Sequence, residues 1–263
     1  MKKIIALLFT LYGFTLLAQE TPIKKPEYVI VANDKIITKE QLEKLGKQGL
    51  IKSMNKGVTE EKRNKLAEKY GDKIGDREFI VIIGLLTKEE KTVLDNKAIA
   101  TNNKKTAKTK DKKNELKLKV NDTAVDFTVE MIDGKKINLS DLKGKIVLIN
   151  YWATWCAPCL MEFTEFPEKI LKPFKNEDFI LIAISIGENK EDVEAKMDKM
   201  KKYGVDFNVG IDPKQEIWNK YATGSIPKNF VIDKNGVIQY ISIGNSEDKV
   251  DKLADNIKKL LKQ

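Results

Sequence analysis

Two cysteines and no histidine occur among the 263 residues, and both cysteines stand in one tetrapeptide, Cys156-Ala157-Pro158-Cys159. Just before it runs Ile146–Trp152 (IVLINYW), an apolar, β-branched stretch of the kind that forms a strand buried on both faces. Just after it, apolar residues recur at helical spacing, and a helix is expected from Ala157 to Leu171. That order puts Cys156 at a helix N-terminus, where free backbone N–H groups and the helix dipole favour a thiolate. Cys159, three residues on, is within disulfide reach but turned toward the interior. The absence of histidine excludes His-based triads, His metal sites and C-x-x-C-H haem attachment. A zinc site would need two further Cys or His ligands, and the chain has none. A purely structural disulfide closing so short a loop would add little, because the gain grows with loop size. Thiol–disulfide exchange is the favoured chemistry.

The surrounding residues alternate between strand and helix signals. Val125–Met131 and Lys136–Leu139 flank Asp133-Gly134, and Lys228–Asp233 and Val237–Ile243 flank Asn235-Gly236, which predicts two hairpins. Phe179–Ile186 reads as a strand, and Asp192–Tyr203 and Ile217–Tyr221 as helical. Glu247–Lys262 reads as an amphipathic helix with Val250, Leu253, Ile257 and Leu260-Leu261 inward. The expected fold class over 116–263 is α/β, a mixed central sheet flanked by helices.

Three segments precede this domain. Lys2 and Lys3 lead into an apolar run from Ile4 to Ala18, shorter than the ~20 residues a spanning helix needs. Charge, apolar core and small residue follow in the order of a secretory signal peptide over 1–18, with cleavage expected after Ala18. No cysteine lies near that point, so lipidation is not expected, and the anticipated location is the periplasm. Residues 27–37 and 78–86 read as strands, with helices at 38–48 and 60–70, giving a small α/β domain over 27–87. Val29–Val31, Tyr70-Gly71, Gly75 and Phe79–Ile83 resemble the opening and closing elements of the plug-like module of outer-membrane receptors, with the last glycine of that pattern replaced. The resemblance implies an outer-membrane or peptide partner for this domain. Residues 88–115, rich in Lys, Thr and Asn, read as a solvated linker. The net charge is +9, and the stretch 88–119 holds 11 basic against 5 acidic side chains. An excess concentrated in a linker does not build a nucleic-acid groove, so no nucleic-acid partner is expected.

Residues 116–263 resemble the thioredoxin fold and, within it, the exported TlpA/ResA-like thiol–disulfide oxidoreductases. The resemblance is carried by Asn138–Lys145 (NLSDLKGK), Trp152–Cys159 (WATWCAPC), Gly224–Asp233 (GSIPKNFVID) and Gly236. It implies that Cys156 attacks, that Cys159 resolves, and that Pro227 is a cis-proline beside the redox-active disulfide. It further implies that Ile226 offers backbone groups to an extended peptide and that Trp155 covers one side of the site. Glu162 matches an acidic residue kept near the inner thiol, where a desolvated carboxylate accepts the proton of Cys159. Asn150 stands where cytosolic thioredoxins place a buried aspartate, which shifts that task to Glu162. Strongly oxidising relatives carry a histidine between the cysteines; Ala157-Pro158 lacks it, so a reducing or intermediate potential is expected. The expected substrates are disulfide-containing exported proteins, with a membrane electron-donor protein restoring the dithiol and no organic cofactor or metal. Two other readings stay open: a disulfide oxidase or isomerase, and a partner-docking protein whose thiols sense redox state. Nothing in the chain resembles a peroxidatic motif.

Overall fold

The computed structural model describes residues 26–101 and 116–263. The expected signal peptide and the later part of the basic segment lie outside the described residues. The first β-branched run is not one strand. Asn33 and Asp34 take positive φ (44° and 59°), and they split it into a hairpin of β1 (Val29–Ala32) and β2 (Lys35–Ile37). A two-residue turn of Asn and Asp suits this geometry, since both tolerate left-handed backbone. Helix α1 (Lys39–Lys47) opens with a capping box: the Gln41 N–H donates to Thr38 Oγ1 at 3.2 Å, and the Thr38 N–H to Gln41 Oε1 at 2.9 Å.

Strand β3 (Ile51–Asn55) was not anticipated; its residues are mostly exposed, and backbone pairing with β4 (Ile80–Leu85) holds it at the sheet edge. Between them lies α2 (Glu60–Tyr70), and the sheet order is β2-β1-β4-β3, with β1 and β4 parallel. The segment read as a linker begins as a helix, α3 (Lys88–Thr101). The cause is a Thr-x-x-Glu box. The Glu90 N–H donates to Thr87 Oγ1, and the Thr87 N–H to Glu90 Oε2.

The second sheet has seven strands. β5 (Thr128–Met131) and β6 (Lys136–Asn138) form the first hairpin, followed by β7 (Ile146–Trp152), α4 (Ala157–Phe163), β8 (Phe179–Ile186) and α5 (Lys190–Met200). Then come β9 (Gly210–Asp212), α6 (Trp218–Tyr221), β10 (Lys228–Ile232), β11 (Ile238–Ile243) and α7 (Lys249–Leu261). The order is β11-β10-β7-β8-β9-β5-β6, with β7, β8 and β9 parallel and the rest antiparallel to their neighbours. All seven residues of β7 are buried, as a central strand covered on both faces requires.

Apolar clusters form on both faces, one around Trp152, Phe163, Val231 and Leu253, the other around Tyr151, Ile184, Trp218 and Phe230. The helix expected to reach Leu171 stops at Phe163. Pro167 then opens a separate wide turn over Pro167–Leu171, because proline cannot donate the bond that would continue a regular helix. Among the described residues no helix is long and apolar enough to cross a membrane.

Candidate active site

Strand β7 ends at the centre of the second sheet and hands the chain to Ala153-Thr154-Trp155, after which Cys156 caps α4. The Cys159 N–H donates to Cys156 Sγ at 3.3 Å, so an amide of the first helical turn already points at this sulfur. Pro158 sits in that turn, where its missing N–H costs no helical bond. The two cysteines are joined as a disulfide, their Cα atoms 5.3 Å apart, and both side chains are buried. The N-terminal end of α4, where free amides and the helix dipole gather, therefore faces the Cys156 sulfur.

The β7–β10 ladder brings the second half of the site to the same place. Lys228 pairs with Tyr151 and Asn229 with Asn150, so Pro227 arrives one step further on, level with the end of β7. The Ile226–Pro227 peptide bond is cis. Pro227 is buried, Ile226 is half-buried against the core cluster that holds both cysteines, and Trp155 is exposed beside them.

Glu162 lies on α4 three residues after Cys159, the spacing that places two side chains on one helix face. It has no exposed surface. Asn150 Nδ2 donates to its Oε2 at 2.8 Å, Asn229 Nδ2 donates to its Oε1 at 2.9 Å, and Asn150 Nδ2 also reaches Asn229 Oδ1 at 2.7 Å. Burial pushes the Glu162 carboxyl up to about 8, against the opposing pull of the Asn229 and Asn150 hydrogen bonds. Asn150 therefore holds the carboxyl group rather than replacing it.

Three side chains here escape a reading of the sequence. Asn229 completes the amide clamp; its only local sign is a polar residue inside the apolar strand after Pro227. Lys228 is fully buried, donates to the carbonyls of Thr223 (3.0 Å) and Ser225, and lies 5.1 Å from the Trp218 ring centroid, so it ties down the loop leading to Pro227. Glu188 accepts from the Thr154 N–H at 2.8 Å and from the Thr154 and Ser185 hydroxyls, fixing the turn before Trp155 to the end of β8. Among the described residues no group of Cys, Asp and Glu is arranged to hold a metal ion.

Comparison with known proteins agrees with this geometry. Residues 120–241 match the AhpC/TSA family. The chain is 35% identical over 127 residues to the thiol-disulfide oxidoreductase ResA of Bacillus subtilis (strain 168), covering 48% of this chain and 69% of the relative. It is 32% identical over 140 residues to ResA of Geobacillus kaustophilus (strain HTA426), covering 53% of this chain and 78% of the relative. The solution structure of a candidate protein disulfide isomerase from Bacteroides thetaiotaomicron superposes with a TM-score of 0.53 at 33% identity, over 57% of this chain and 94% of that one. The second sheet and its helices are a thioredoxin fold. With that fold, a dithiol at a helix N-terminus and this identity to its relatives, the chain belongs to the ResA family of thiol-disulfide oxidoreductases.

Proposed function

We propose that this protein reduces disulfides of exported proteins through a dithiol–disulfide cycle at Cys156 and Cys159. The observation that carries the reading is the Cys156–Cys159 disulfide across the first turn of α4, with a buried carboxyl one helical turn inward. The Cys156 thiolate attacks one sulfur of a substrate disulfide, forming a mixed disulfide and expelling the first substrate thiolate. Cys159 loses its proton and attacks Cys156 Sγ, which expels the second substrate thiolate and leaves the Cys156–Cys159 disulfide. Two electrons pass to the substrate, whose two sulfurs end as thiols.

Glu162, held at about 8, is closely matched to an ordinary thiol near 8.5. Its ionised form accepts the Cys159 proton, and its protonated form returns one when a donor reopens the disulfide. The loop carrying Ile226 and Pro227 and the exposed Trp155 flank the pair and form the walls against which an extended substrate strand lies. The expected setting is outside the cytoplasm, with a membrane donor protein supplying electrons.

The test is the equilibrium reduction potential of the pair in a dithiothreitol series. A value near −270 mV, about that of thioredoxin, supports a reductase. A value near −120 mV, about that of the strong oxidants, overturns it in favour of a disulfide donor.

A further inference from the structure

The first domain does not stand apart from the dithiol. The Ala157 N–H, between the two cysteines, donates to the carbonyl oxygen of Lys56 at 3.1 Å. Gly57, next in the chain, lies so close to the turn that a Cβ there would fall 1.7 Å from the Trp155 carbonyl oxygen and 2.9 Å from the Ala157 nitrogen. Its φ of +145° also suits glycine. The loop between β3 and α2 therefore rests, backbone on backbone, on the residues around Cys156.

Two further sets of contacts hold it there. Phe79, just before β4, is buried in the core cluster of the second domain and meets the Tyr203 ring edge-to-face with centroids 5.1 Å apart. A row of lysines along and just beyond α5 meets carboxylates of the first domain. Lys196 bonds Glu60 (3.1 Å) and Glu78, Lys199 bonds Glu60, and Lys202 bonds Asp76 at 2.5 Å. Lys196 and Glu78 are nearly fully buried, which marks a packed interface rather than a glancing surface contact.

Thiol–disulfide exchange needs a foreign sulfur in line with Cys156 Sγ. In this arrangement Cys156 is only 2% exposed. We propose that residues 56–60 of the first domain are an intrachain cap on the dithiol turn, and that a protein substrate gains Cys156 by displacing it. This rests on Cys156 being the attacking thiol, but access to that sulfur can be read whichever way electrons flow.

In the full chain carrying Cys159→Ser, Cys156 is the one remaining thiol, and iodoacetamide alkylation at a pH where it is fully ionised reports access alone. Gly57→Val forces the loop off the turn, and Lys196→Glu sets a carboxylate against Glu60 and Glu78. Each should raise the alkylation rate tenfold or more, and Lys196→Glu combined with Glu78→Lys should bring it back toward the starting value. Circular dichroism identifies any variant that has lost its fold, and the charge pair then decides. Folded variants that react at the parent rate, or a parent that already reacts as fast as a cysteine in an unstructured peptide, overturn the cap. A strongly oxidising potential with rates that rise as expected would overturn the reductase and leave the cap standing.

Discussion

Glu162 is a carboxyl group with no exposed surface, held between two amides whose N–H groups both face it. Its folded value of about 8 lies above its ordinary 4.5, so folding favours the protonated form. That contribution is complete below about pH 4.5 and is lost as pH rises through 8, when a buried charge must be carried. Wild-type stability should therefore fall across this window, while Glu162→Gln, which never ionises, should not show the loss. The gap in unfolding free energy between the two should widen with pH to a few kcal/mol, at about 1.4 kcal/mol per tenfold change in ionisation; urea titrations at pH 5 and pH 9 measure it. Spacing put Glu162 one helical turn beyond Cys159, and its place near the inner thiol was implied by the family resemblance. Its clamp was not legible, because Asn229 is 67 residues away and meets Glu162 only once β10 has paired with β7.

At the scale of elements, local signals did well where they were strong. Ile146–Trp152 and Phe179–Ile186 form strands with the bounds their composition suggested, because a continuous apolar run has few alternatives to a buried strand. Short strands fared worse. β9 is three residues long and begins with Gly210, which no propensity marks as a strand; it exists because β8 on one side and β5 on the other supply its ladder bonds. A Cβ at Gly210 would lie 2.5 Å from Val129 Cγ2 and 3.2 Å from Met131 Sδ, and both side chains are buried. Gly210→Ala should thus pry β9 from β5 and cost about 1–3 kcal/mol by overpacking, seen as a lower denaturation midpoint with an unchanged slope. The α4 break is another element-scale outcome: Pro167 overrides a helical pattern that the apolar residues alone would extend.

For the whole molecule, the decisive feature is how its two domains meet. Glu60 is partly buried at the junction, which works against its charge, yet hydrogen bonds from Lys199, Arg63 and Lys196 and the charge of Lys196 hold it down to about 2. Its folded value lies below the ordinary 4.5, so its contribution is present above that pH and disappears as pH falls toward 2. With Lys196, Lys199, Arg63 and Glu78 the charged groups around it, acidification below pH 4.5 should loosen the junction before the second sheet unfolds. Amide exchange in α2 should then rise ahead of exchange in β7, and equal onset in both would refute this. By itself the sequence determined the strand–dithiol–helix order, the carboxyl one turn on, and the α/β class, because each depends on residues adjacent along the chain. The tertiary structure alone decided the amide clamp on Glu162, the lysine under the Pro227 loop, the short strands β3 and β9 and the seating of Gly57 on the dithiol turn. Each of these needs groups far apart in sequence to meet, and neither periodicity nor composition records such meetings.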